Sequence, residues 1–260
     1  MDQSPDASTR LARRLGFGDA VVIGLGAMIG AGVFAAFGPA AAAAGSGLLV
    51  GLGIAAVVAY CNATSSARLA AVYPQSGGTY VYGRERLGPF WGYLAGWGFV
   101  VGKTSSCTAM ALTFGAYAWP EQQRALAVAA VVALTLVNLR GVQKTARLTQ
   151  VIVVIVLTAL AVVVVGALGD GEVSASQLDD LTAVGGWSGI LQSAGLLFFA
   201  FAGYARLATL GEEVVDPART IPRAVPTALA ITLVVYALVA TSALLAAGPE
   251  ALAASDAPLR

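Results

Sequence analysis

Gly24-Leu25-Gly26-Ala27-Met28-Ile29-Gly30-Ala31-Gly32-Val33-Phe34 sits inside an apolar run long enough to cross a bilayer, yet it carries four glycines in nine residues. Each glycine costs a helix about 0.8–1 kcal/mol relative to alanine, so the stretch is poor material for an unbroken span. Two readings stand. Gly26-x-x-x-Gly30 has the spacing through which membrane helices pack closely. Alternatively, the helix opens near mid-membrane, which backbone tolerates only where protein or a water-filled cavity satisfies its peptide groups. A dinucleotide-binding loop is excluded by its different glycine spacing and by the lack of a strand or an acidic ribose partner.

The rest of the chain sets this stretch in a membrane. Of 260 residues, 58% are hydrophobic and 11% charged, with a mean hydropathy of +0.78. A soluble domain carries about 25% charged residues, so this chain has too little polar surface to face water. The net charge of +1 gives no sign of a nucleic-acid partner. Histidine is absent, and Cys61 and Cys107 lie within apolar runs, where they read as small core residues rather than a disulfide or metal ligands. No metal, cofactor or enzymatic activity is expected, because no nucleophile–base pair, ligand cluster or phosphate loop is present. Met1 to Arg14 is polar and the first apolar run is too long for a signal peptide.

A spanning helix needs about 20 mainly apolar residues. Seven runs qualify, at roughly 17–43, 47–69, 88–118, 124–141, 148–168, 187–210 and 224–247. Arg10, Arg13, Arg14, Arg68, Arg84, Arg86, Arg140, Lys144, Arg147, Arg219 and Arg223 gather on one side of them. Arg124, Arg260 and the acidic loop with Asp170, Glu172, Asp179 and Asp180 fall on the other. Positive charge marks the inner face, so the expected topology is multi-pass in the cytoplasmic membrane, with the N-terminus in the cytoplasm.

The sixth run contains Phe198-Phe199-Ala200-Phe201-Ala202-Gly203-Tyr204-Ala205-Arg206, a glycine within an aromatic cluster. It predicts a second interruption. Interrupted spans at corresponding places in two halves point to a transporter's substrate site. The first and sixth spans are five apart, as a five-plus-five inverted repeat requires. Freed N–H groups suit a carboxylate and freed carbonyls an ammonium, which matches a zwitterionic amino acid.

At these residues the chain resembles the N-terminal portion of amino acid–polyamine–organocation (APC) superfamily permeases, nearest the cationic-amino-acid-transporter-like members. The likeness rests on Gly24 to Phe34, on Tyr73-Pro74-Gln75-Ser76-Gly77-Gly78-Thr79-Tyr80, and on Phe198 to Arg223 with Glu212-Glu213-Val214-Val215-Asp216-Pro217 and Ile221-Pro222-Arg223-Ala224. It implies an all-α integral membrane protein of the leucine-transporter type, with substrate between the interrupted first and sixth helices. By position, Ile29, Gly30, Ala31 and Gly32 would meet the substrate carboxylate. Phe201, Ala202 and Gly203 would offer carbonyls to its amine, and Tyr204 would form part of the pocket wall. The Tyr73–Tyr80 loop is similar to a cytoplasmic segment near the family's inner gate, although its chemistry suits a plain Pro/Gly turn equally. The chain departs from many relatives in having Gly203-Tyr204-Ala205 for Gly-Phe-Asp, and Val156 where proton-coupled relatives carry a lysine.

Two charges fall inside spans. Lys103, in the third run, is expected to face a cavity or a partner, since a central lysine costs about 2.5–3.5 kcal/mol to insert. It is a candidate for substrate binding or coupling, with a structural bond to freed carbonyls and snorkelling as alternatives. Arg206 is a pocket candidate that can instead pair with Glu212 or Glu213. The expected organisation is a cytoplasmic tail at 1–16, a first repeat at 17–168, an extracellular acidic loop at 169–186, the start of a second repeat at 187–247, and an extracellular stub at 248–260. A five-plus-five repeat has at least ten spans, so the chain is expected to be part of a longer protein. The leading reading is secondary active transport of an amino acid or amine by alternating access, with protons as a possible coupling ion and the oligomeric state open. A seven-span receptor or sensor, or a non-transporting scaffold, is the alternative.

Overall fold

The computed structural model describes residues 13–73, 75, 77–139, 146–169, 175–178, 182, 184–255 and 257–259. Arg10, Pro74, Ser76, Arg140, Lys144, Asp170, Glu172, Asp179, Asp180 and Arg260, which entered the topology and loop readings above, lie outside them. The described residues are helical almost throughout, and an isolated parallel bridge joins Leu15 to Val214.

The first apolar run is divided into α1 (Phe17–Met28), α2 (Ala31–Ala35) and α3 (Phe37–Ala44). A 3₁₀ turn at Gly45–Gly47 leads into α4 (Leu48–Val72). Gly45 has φ of 55°, a conformation that glycine supplies without steric cost. A short helix α5 (Thr79–Leu87) precedes α6 (Pro89–Ala118), followed by α7 (Gln123–Leu139) and α8 (Ala146–Gly169). The sixth run forms α9 (Gly186–Phe201), a 3₁₀ turn at Ala202–Tyr204 and α10 (Ala205–Ala208). The seventh is α11 (Pro217–Ala254).

Six helical segments among the described residues are long and apolar enough to cross a membrane. The third run was expected to be a seventh. It folds as the 30-residue α6, but Lys103-Thr104-Ser105-Ser106 dilutes its apolarity and it is not one of the six. The expected stub at 248–260 is also partly helical. α11 kinks at Gly248 (φ 77°, ψ 163°) and continues to Ala254, with Leu252 buried.

The core lies where α1, α4, α9 and α11 meet. α4 turns Ala55, Ala59, Ala63, Ala67 and Ala70 inward, spaced so that they share one face. Small side chains let α9 and α11 approach its backbone. By contrast, α7 and α8 expose apolar side chains such as Leu134, Val162 and Val165. Such faces need lipid or further protein rather than water.

Candidate functional site

The first span opens at Ile29. Its backbone (φ −79°, ψ 76°) closes an inverse γ-turn in which the Gly30 N–H donates to the Met28 carbonyl at 2.9 Å. Gly30 then runs extended (φ −134°, ψ −144°) and helix resumes at Ala31. The N–H groups of Ala31 and Gly32 therefore begin a new helix, with no preceding turn to accept them.

The four glycines serve different ends. A β-carbon at Gly24 would lie 2.6 Å from Leu207 Cδ1, one at Gly26 would lie 3.1 Å from Val153 Cγ2, and one at Gly32 would lie 2.6 Å from Ala200 Cβ. These three allow close approach by three separate neighbours. A β-carbon at Gly30 would meet nothing within 4 Å. Gly26 and Gly30 therefore do not share a packing face; Gly30 marks the opening.

The sixth span changes winding rather than opening. The Ala202 N–H donates to the Phe199 carbonyl, a 3₁₀ bond, and Phe201, Ala202, Tyr204 and Ala205 keep right-handed helical torsions. Gly203 is a further contact point with the first span. A β-carbon there would overlap the Ala27 carbonyl and lie 2.6 Å from Met28 N. Phe201 and Ile29 are buried in the core, whereas Gly30, Ala31, Gly32 and Ala202 are partly exposed.

A cavity of about 240 Å³ lies beside the sixth span's turn, on the side of the bundle that holds the Gly77–Tyr80 loop. Its walls include Tyr204, Ala208 and Thr209 from the sixth span, Asn62 and Ser66 from α4, and Phe99 from α6. Of the residues predicted for the site, Tyr204 alone lines it. Lys103 is exposed, with Nζ 5.7 Å from the ring centroid of Phe99, a cation–π contact. Arg206 is exposed and donates through Nη1 to Thr209 Oγ1 at 3.3 Å. Each charge thus touches a cavity-lining residue without lining the cavity itself.

The loop is held firmly. Gly77 and Gly78 have φ of 132° and 52°, and the buried Tyr82 hydroxyl donates to the Ala208 carbonyl at 3.2 Å. On the same side, Arg14 N and Leu15 N donate to Glu213 O at 3.0 and 3.1 Å, and Val215 N donates to Leu15 O at 2.9 Å. Asp19 Oδ2 accepts the Gly16 N–H at 3.1 Å, while its Oδ1 accepts from Gln150 Nε2 of α8 at 3.2 Å. Towards the other end, Tyr117 of α6 donates to the Phe34 carbonyl at 2.9 Å and accepts the Leu259 N–H at 3.1 Å. The first span is therefore fastened on both sides of its opening.

Sequence reasoning missed Asn62 and Ser66, although a polar pair four residues apart in an apolar helix was a legible signal. It also missed Tyr236 of α11, a buried hydroxyl within hydrogen-bonding distance of the Met28 and Ala200 carbonyls.

Residues 15–259 match the family described as amino acid permease. The chain belongs to the amino acid permease family. An uncharacterized transporter of Mycobacterium tuberculosis is 68% identical over 254 residues, covering 98% of this chain and 58% of that protein. The branched-chain amino acid permease BcaP of Bacillus subtilis is 26% identical, covering 88% of this chain and 54% of its own length. The chloroplastic cationic amino acid transporter 7 of Arabidopsis thaliana is also 26% identical, covering 90% and 44%. The chain thus spans between 44% and 58% of the length of these relatives. Membership makes the chain part of an all-α, multi-pass membrane permease family.

Tyr82 ties the start of α5, next to the Gly77–Tyr80 loop, to the sixth span through its bond to Ala208. Burial pushes the Tyr82 phenol up from 10.0 to about 12, so it remains a neutral donor in ordinary buffers. A raised folded-state value means that its contribution is complete below pH 10 and is lost as pH rises through about 12. Tyr82→Phe is expected to cost about 0.5–1.5 kcal/mol at neutral pH. Thermal unfolding should show that difference constant up to pH 10 and shrinking above it; equal unfolding temperatures at neutral pH would remove the anchor.

Proposed function

We propose that this permease carries an amino acid or related amine across the cytoplasmic membrane by alternating access, with its N-terminus in the cytoplasm. The observation that carries this reading is the opened first span at Ile29-Gly30, beside unoccupied space at Gly30. N–H groups at a helix start attract anions, so the Gly30–Gly32 segment receives the carboxylate. The carbonyls of Phe201, Ala202 and Gly203 face the amine, and Tyr204 provides wall for the passage along which the solute leaves.

The 17–168 segment acts as one repeat and 187–247 begins its inverted counterpart. Lys103 and Arg206 border the passage through Phe99 and Thr209. Lys103 is the residue proposed for coupling, through its contact with Phe99 at the edge of the cavity. The relatives named as amino acid carriers support the substrate class.

Reconstitution of the full-length protein into proteoliposomes tests the reading. Uptake of at least one proteinogenic amino acid or polyamine is expected, with its pH dependence flattened in Lys103→Met. Absence of uptake and exchange across the whole panel would refute the transport reading, and an unchanged pH profile would refute the role of Lys103.

A further inference from the structure

The cavity beside the sixth span's turn has walls that offer hydrogen-bond donors and no carboxylate. Asn62 and Ser66 lie one helical turn apart on α4. Among the described residues nothing engages the Asn62 side-chain amide, the Ser66 hydroxyl or the Tyr204 hydroxyl. Tyr80, at the start of α5, also lines the cavity. Its hydroxyl accepts from Arg84 Nη1 at 3.4 Å, and its own proton has no acceptor among the described residues. A hydrogen bond received from a cation polarises a hydroxyl and makes it a stronger donor.

Three cations stand at the rim, each on a different wall residue. Arg84 touches Tyr80, Arg206 touches Thr209, and Lys103 lies over Phe99 at 5.7 Å. They come from α5, α10 and α6, so the fold gathers them rather than a run in the sequence. All three are exposed, and none forms an ion pair among the described residues. Charges of one sign around a cleft with low-dielectric walls add their potentials and concentrate ions of the opposite sign. A site for an ammonium needs carboxylates or converging carbonyls, whereas these walls present N–H and O–H groups under positive potential. An oxyanion accepts several such bonds at once. The volume of about 240 Å³ suits a small ion, since pockets for drug-sized ligands begin at roughly 300 Å³.

We propose that this cavity is a binding site for a small oxyanion, a phosphate or a carboxylate, held by Asn62, Ser66, Tyr80 and Tyr204 within the field of Arg84, Lys103 and Arg206. The anion comes from solution or from the headgroup of an anionic lipid; both offer the same acceptor oxygens. The site goes beyond the transport reading, and its binding is measured without a transported solute. Absence of uptake would leave it standing, and absence of anion binding would leave the solute site at Gly30 untouched.

The test is isothermal titration calorimetry of the full-length protein in phosphatidylcholine nanodiscs at constant ionic strength. Inorganic phosphate and succinate are the probes, with tetramethylammonium as the control cation. Saturable binding of phosphate or succinate is expected, and none of tetramethylammonium. Tyr80→Phe keeps the ring and removes the polarised donor, while Arg84→Gln removes a rim charge; both side chains are exposed, so neither change disturbs the core. Each is expected to weaken binding about tenfold. Nanodiscs that contain phosphatidylglycerol separate the two sources. A fall in affinity of no more than the roughly tenfold that lipid surface charge itself imposes assigns the site to a soluble anion, and a larger loss assigns it to the headgroup. Absence of saturable binding in phosphatidylcholine overturns the proposal. So does equal binding of tetramethylammonium, or an affinity that neither variant alters.

Discussion

Gly203→Ala is expected to cost the permease most of its folded yield. The added carbon would overlap the Ala27 carbonyl and lie 2.6 Å from Met28 N. Both obstacles are backbone, with no flexible side-chain end to move aside. Overpacking of this kind costs about 1–3 kcal/mol and sometimes more, against a total stability on the order of 5–15 kcal/mol. The first and sixth spans must separate to relieve it, which also pulls Met28 from Tyr236. The comparison is Gly53→Ala in α4, where an added carbon meets nothing within 4 Å. That change should be neutral or stabilising by about 0.5–1 kcal/mol, since alanine is the better helix residue. Size-exclusion yield and unfolding temperature separate the two; an unaltered unfolding temperature for Gly203→Ala would mean that the spans do not meet there.

The second large effect falls on function instead of folding. Gly30→Ala places its methyl in open space, and the negative φ of −134° lies outside the left-handed region that glycine alone adopts freely. The folded yield should therefore match that of the unaltered protein. The space it enters is the one assigned to the solute's carboxylate, and an extra methyl in a fitted pocket weakens selection by roughly tenfold or more. Amino acid uptake should fall by that factor while unfolding stays unchanged. Equal uptake would remove Gly30 from the site.

These two glycines show what was legible in the sequence. The apolar runs could be read because hydropathy over about 20 residues is a local property. The opening of the first span was legible as glycine density. Which glycine opens was not, because Gly24, Gly26 and Gly32 are explained by Leu207, Val153 and Ala200, neighbours distant in the chain. The aromatic cluster around Gly203 read as a second opening, yet its geometry is a 3₁₀ tightening, and the missing side chain admits the backbone of Ala27 and Met28. α11 begins at Pro217, ahead of the run expected from 224, since Pro217 sits at N1, where its missing N–H is no loss, and Asp216 (φ 45°) turns the chain into the helix. Tyr236 was hidden because a tyrosine in an apolar run resembles any other aromatic until its hydroxyl's partners are known.

The proposed site sets the opened peptide groups at Gly30 against the solute. The most direct measurement is thiol labelling of Gly30→Cys in full-length protein from which the exposed Cys61 and Cys107 have been replaced by serine. A small water-soluble reagent is expected to modify the introduced thiol, and the transported amino acid to slow this labelling in proportion to its occupancy. A labelling rate indifferent to every transported amino acid would contradict it.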